Sequence, residues 1–287
     1  MIPNNNLSVL PWYSSIEQQN ARKWWAYDRV YPLFTPQRYI LPFQIIRESS
    51  EINSITYFKI YKSDGSLVGD YTSEISPYIS FKAFDDYDVI VFTGVEPLFS
   101  SFNVGQYYAE LKEGDNVWYS EVFTVVDTIQ NFLKIEWWNV EDFTMDAGTI
   151  VYRDPDFHNV IYLMADIAKP DYSFEEDGES RDGYFFPVKQ ISEKKYKFQF
   201  LASEYILDVM RLIRLSDVVS IAKVGARYRA DSFLMSVEWE GDGDIASVEA
   251  EFDTATVAKK IGGAYLIGRM GDFNDDFNND FFNIDEL

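Results

Sequence analysis

GQYYAELKEGDNVWYSEVFTV, residues 105–125, decides how the chain reads. Gln106–Lys112 and Val117–Val125 are runs of strand-forming residues rich in tyrosine, tryptophan and valine, which fit a pleated surface. Glu113-Gly114-Asp115-Asn116 between them is a hairpin signal, because glycine takes positive φ at little cost. Two strands and a tight turn in 21 residues mean an antiparallel sheet.

Working outward, RYILPFQII (38–46), SITYFKIYK (54–62), SLVGDYTSEI (66–75) and YDVIVF (87–92) have the same texture. Asp64-Gly65 in SDGS marks a second hairpin. Six short strands with frequent turns across residues 37–127 predict a sandwich of immunoglobulin or fibronectin type. Such a domain ordinarily binds or connects.

A second β-rich unit is expected over residues 128–258. It opens with FLKIEWWNVEDF (132–143), where Leu133, Ile135 and Trp137 alternate with Lys134, Glu136 and Trp138. TIVYR (149–153) and VIYLMADIAK (160–169) follow, then EEDGESRDG (175–183), read as a polar loop, then YFFPVKQI and KYKFQFLAS. After Ser203, an expected N-cap, Ile206, Val209, Met210, Leu212 and Ile213 recur at helical spacing, predicting one covering helix near 203–215. SFLMSVEWE and IASVEAEFDT flank Gly241-Asp242-Gly243-Asp244 and read as another hairpin. The expected fold class is therefore mainly β: two β-rich domains plus arms.

Residues 1–36 read as an N-terminal arm carrying Trp12, Trp24 and Trp25, with a short helix near 20–27 that Pro32 and Pro36 would end. These tryptophans either close the base of the first domain or cover a neighbouring subunit. Residues 259–287 read as a C-terminal arm ending GDFNDDFNNDFFNIDEL. Its near-repeat places Asp272-Phe273, Asp276-Phe277 and Asp280-Phe281 four residues apart. The expectation is a docking arm whose Phe273, Phe277 and Phe281 enter a neighbour's apolar pockets while Asp272, Asp276 and Asp280 keep it soluble.

Composition excludes several function classes. The 287 residues hold 47 Asp and Glu against 25 Lys and Arg, a net charge of -22, which disfavours phosphate backbones and anionic membranes. No cysteine is present, so thiolate metal sites and cysteine nucleophiles are excluded. His158 is the single histidine, and no Gly-x-Ser-x-Gly, phosphate loop or dinucleotide fingerprint occurs. A hydrolase needs only two carboxylates flanking a cleft, and with 47 acidic residues such pairs are plentiful; Glu136 and Glu141 near Trp137 and Trp138 are one of them, with nothing to single it out. The oxygen-rich stretches 175–183 and 272–280 raise calcium, but the second has Phe277 where an EF-hand needs glycine and Asn283 where it needs glutamate. No enzyme activity, cofactor or metal is expected. MIPNNNLSVLPWYSS lacks the pattern of a signal peptide, and nowhere do about 18 apolar residues run together. A soluble cytoplasmic product is expected.

Trp118-Tyr119-Ser120-Glu121-x-Phe123, handing over to Ile135-Glu136-Trp137-x-Asn139, resembles virion proteins of tailed phages infecting Bacteroidetes, and so does the Asp-Phe-Asn ending. The likeness is to tail, ring and baseplate components of the crAss-like group and its relatives. That resemblance implies a non-enzymatic subunit of a symmetric homo-oligomer, contacting other tail proteins and assembled into virions in the host cytoplasm. The alternative is a carbohydrate- or peptide-binding module with Trp137 and Trp138 as a stacking platform.

Overall fold

The computed structural model of the chain describes residues 8–21, 33–50, 52–94, 103–145, 148–154, 156–239, 245–254 and 258–261. The deciding hairpin forms as expected. Strand β8 below turns through Gly114, at φ 55°, and its last residue Glu113 pairs with Asn116. Side chains rarely adopt that backbone conformation, so glycine suits the position.

In the first half the chain runs β1 (Trp12–Tyr13), α1 (Ile16–Ala21), β2 (Phe34–Pro36), β3 (Phe43–Glu48), β4 (Tyr57–Lys62), β5 (Leu67–Asp70), α2 (Thr72–Ile75), β6 (Ile79–Ala83), β7 (Tyr87–Phe92), β8 (Gly105–Glu113), β9 (Asn116–Ser120) and β10 (Phe123–Val126). One sheet is β3-β7-β6; the other places β4 and then β5 on one edge of β8 and β9 and β10 on the opposite edge, with β1 and β2 outside them. β2 runs parallel to β10, whereas the other pairs are antiparallel. This is the two-sheet Greek-key arrangement of immunoglobulin-like sandwiches. Phe43 of the three-stranded sheet stacks on Phe58 of the other at 6.4 Å and 7°, and Trp12 lies 4.6 Å from Phe43.

Tyr107 near the start of β8 donates its hydroxyl to the carbonyl of Asn103 at 2.7 Å. It is the tyrosine corner of such folds. Ala109, two residues on and fully buried, stands where antibody domains place the second cysteine of the intersheet disulfide. Ring packing among Trp12, Phe43, Phe58 and Phe92 takes the disulfide's place.

Two elements depart from expectation. SLVGDYTSEI is a strand only to Asp70, whose carboxylate accepts the Thr72 backbone N–H at 3.0 Å and starts α2. This is an Asx turn competing with the ladder. β6 is not marked by a buried apolar run in the sequence, since none of its residues is fully buried.

The second half contains β11 (Leu133–Trp138), β12 (Phe143–Met145), β13 (Gly148–Ile150), β14 (Asn159–Leu163), β15 (Asp171–Arg181), β16 (Tyr184–Ser203), α3 (Glu204–Met210) with a 3-10 turn over Arg211–Leu215, β17 (Val218–Lys223), β18 (Ala226–Trp239), β19 (Ile245–Thr254) and β20 (Ala258–Ile261). The large sheet has the order β14-β11-β17-β18-β19-β16-β15, with β20 beside β16. The helix lies where the spacing placed it, and all five of its named apolar residues are buried. Ser203 sits at the N-cap with extended backbone but makes no capping hydrogen bond.

EEDGESRDG is not a loop. It lies almost wholly in β15, paired with β16 from Asp171↔Lys195 to Arg181↔Tyr184, and only Asp182 and Gly183 turn. The backbone ladder needs no apolar side chains, and this ribbon is solvated on both faces, so no hydrophobic alternation marks it. YFFPVKQI and KYKFQFLAS form one strand.

The halves meet along a buried seam. Gln44 and Ile46 on β3, with Val89 and Val91 on β7, project from the sandwich's outer side, and Ile150, Val151, Tyr152, Phe157 and Leu212 cover these apolar residues. Phe34 packs edge-on against Phe132 at 4.8 Å, and Tyr39 against Tyr162 at 6.5 Å.

Candidate functional surface

The far face of the sandwich, on the opposite side from that seam, is different in chemistry. Strand alternation sends Phe58 and Ile60 inward and Tyr57, Lys59 and Tyr61 outward on β4. Register sets Lys112 opposite Tyr57, Glu110 opposite Lys59, and Tyr108 opposite Tyr61; on β9, Tyr119 stands opposite Glu110. Tyr13 on β1 extends that row beside Tyr119, and Leu67 on β5, 57% exposed, borders Tyr61. The result is a tyrosine-rich field on one sheet face with Glu110 at its centre.

Tyr57 donates its hydroxyl to Glu110 Oε1 at 2.5 Å, and the Tyr61 and Tyr108 rings stack at 5.3 Å and 10°. Lys59 Nζ lies 4.1 Å from the centre of the Tyr57 ring and Lys112 Nζ 5.9 Å. Neither lysine is ion-paired among the described residues. Burial pushes the hydroxyls of Tyr57, Tyr61, Tyr108 and Tyr119 above the ordinary phenol value, and Glu110 adds to the shift in each. The phenols therefore stay neutral donors over the whole physiological range. Tyrosine supplies large contact area with two side-chain torsions and a polar tip, a combination typical of recognition surfaces.

The residues singled out in the sequence lie elsewhere. Trp12 is 1% exposed, inside the sandwich, so it is not on an arm. Trp24, Trp25, Asp272, Phe273, Asp276, Phe277, Asp280 and Phe281 lie outside the described residues. Trp137 is fully buried, because odd positions of β11 face the core; Trp138, on the opposite face, is half-buried against the seam, and His158 stacks on its ring at 4.1 Å and 12°. The two rings therefore form no coplanar platform for sugar. Glu136 is engaged by His158, whose Nδ1 is 2.8 Å from its Oε1, and by Lys134 at 3.3 Å, whereas Glu141 pairs with Arg153. Each carboxylate of the considered hydrolase pair thus has its own cation. Among the described residues no three His, Asp or Glu side chains converge as metal ligands.

The tyrosine face was within reach of the sequence. Outward positions of YFKIYK, QYYAELK and VWYS are Tyr, Lys and Glu at period two, but register between strands had to be known before they could be seen to converge.

No protein-family model matches the chain, and no curated protein matches it. Among solved structures, a complex of Dpr2 Ig1-Ig2 with DIP-Theta Ig1-Ig3 aligns at 6% identity over 80% of this chain and 89% of that one. Its TM-score of 0.15 carries no argument here. The immunoglobulin-like assignment stands on strand order and the tyrosine corner. No helix among the described residues is long and apolar enough to cross a membrane.

Proposed function

We propose that this chain is a non-enzymatic structural subunit that assembles with other copies through the tyrosine-rich outer face of its sandwich. The observation that carries the reading is the convergence of Tyr57, Tyr61 and Tyr119 around Glu110 on the sandwich face opposite the seam. Neutral aromatic rings with hydroxyl tips, flanked by two lysines, suit contact with protein better than turnover of a small molecule. Placement in a ring or tail and baseplate layer of a phage tail machine is the finer part of the proposal. It is supported by the resemblance carried by Trp118–Phe123 and Ile135–Asn139. The net charge of -22 agrees with it, since a conduit for DNA must not bind its cargo.

Sedimentation velocity of the purified full chain tests the assembly reading. Concentration-dependent association is expected for the natural sequence, and Tyr61→Ser with Tyr119→Ser should weaken it at least about tenfold without moving the melting temperature by more than a few degrees. A chain that stays monomeric throughout, or a variant that associates normally, overturns the reading. Immunogold labelling of purified phage particles decides the virion placement.

A further inference from the structure

β9 keeps an open edge where β1 stops pairing with it. Trp12 and Tyr13 pair with Ser120 and Tyr119, and the chain then turns into α1, which packs beside β9 instead of extending the ladder. Lys112, the β8 partner of Val117, uses its carbonyl to accept the Thr56 N–H on the β4 side at 2.6 Å. Lys112 and Val117 are therefore a non-hydrogen-bonded pair, and Val117 turns its own N–H and carbonyl away from β8, toward α1. Neither group has a hydrogen-bond partner among the described residues.

Between α1 and this edge lies a cleft of about 440 Å³, a size within the range of small-molecule sites. Its walls bring together the carboxylates of Glu17 and Asp115, the carboxamide of Asn116 and the Tyr119 ring, with Val117 between them. Glu17, Asp115 and Asn116 are exposed, and their side chains make no hydrogen bond or ion pair among the described residues. Strong acceptors, amide donors and a ring thus line one cleft with no partner of their own.

That mixture selects a ligand class. A cation would use the two carboxylates and leave the N–H of Val117 and the amide of Asn116 idle, and an anion would be repelled by both carboxylates, since no basic side chain lines the cleft. A sugar ring uses every group: its hydroxyls donate to the carboxylates and the Val117 carbonyl and accept from the N–H groups, while its C–H face packs on Tyr119. We infer that the cleft between α1 and the open edge of β9 is a binding site for an uncharged sugar unit, held by Glu17, Asp115, Asn116 and the backbone of Val117 against the Tyr119 ring. This goes beyond the assembly reading and does not depend on it.

The test is saturation-transfer difference NMR on the full chain with the methyl glycosides of glucose, galactose, mannose and N-acetylglucosamine, each at millimolar concentration. At least one should receive saturation, strongest on the ring protons of one face. Glu17→Ala with Asp115→Ala should weaken that binding at least about tenfold and leave the melting temperature in place, because both side chains are exposed and unpaired. Val117→Pro removes the free edge N–H and no ladder bond, so it should weaken binding as well. Tyr61→Ser, across Glu110 from Tyr119, should bind sugar as the natural chain does. If none of the four glycosides is saturated, or if the double alanine variant binds undiminished, the inference falls. If trilysine is saturated in their place and loses its signal in the double variant, the cleft takes a basic segment and the sugar assignment is overturned.

Discussion

Gln44 and Val151, 107 residues apart, are joined as two strands are: Gln44 Nε2 donates to the Val151 carbonyl at 2.7 Å, and Val151 N–H donates to Gln44 Oε1 at 3.0 Å. One carboxamide stands in for a peptide group across the seam. With Tyr87 and Thr149, whose hydroxyls are 2.7 Å apart, it ties the sandwich to the second half.

Gln44→Leu leaves a buried N–H and a buried carbonyl without partners, at a cost of about 2–4 kcal/mol. The natural chain should unfold in a single urea transition. In the variant the midpoint should fall and the fluorescence and circular-dichroism transitions should separate, as the halves lose their coupling. Coincident, unshifted transitions would show that the seam does not depend on this pair.

Inside one end of the sandwich Arg47 bridges Asp88 at 3.2 Å and Glu113 at 3.1 Å, all three almost wholly buried. Burial pushes the Glu113 carboxyl up, and Arg47 pulls it back. Arg47→Met should cost about 3–5 kcal/mol, because two carboxylates are stranded in a dry interior. A carboxyl raised above its unfolded value binds a proton more tightly when folded, so this variant should be more stable at pH 5 than at pH 7. Arg47→Met with Glu113→Gln should recover part of the loss. A double variant no better than the single one would refute this account.

Acid stability should depend on Glu136. The hydrogen bond from His158 holds its carboxyl down at about 2, against the opposing effect of burial and with help from Lys134. Its contribution is complete above the unfolded carboxylate value near pH 4.3 and is lost as pH falls toward about 2. His158→Ala should lower stability at pH 6 by about 1 kcal/mol and flatten the fall below pH 4.5. Chemical denaturation at stepped pH reads both, and an unchanged acid slope would count against the pairing.

At the alkaline end the tyrosines dominate. Tyr57, Tyr61, Tyr108, Tyr119 and the core residue Tyr152 all have hydroxyls raised first by burial. Their preference for the protonated fold is complete below about pH 10 and drains away as pH rises through the folded values. The urea midpoint should hold from pH 7 to 9 and decline above 10, and Tyr57→Phe should soften the decline. A flat midpoint to pH 11 would mean these phenols ionise freely in the fold.

By itself the sequence determined the β class, both turns at Gly65 and Gly114, and the helix after Ser203. Those are local matters of backbone freedom and of side-chain period, and each is written within a dozen residues. It did not disclose β15, since a strand solvated on both faces has no apolar period, nor did it separate Trp137 from Trp138, since which parity of β11 faces the core depends on what packs there. Only the tertiary structure decided that Trp12 is a core ring, that Gln44 meets Val151, and that Tyr57, Tyr61 and Tyr119 surround Glu110. Strand register and sheet order bring residues from three separate strands to one face, and those pairings are long-range choices made by the whole core rather than by any one segment.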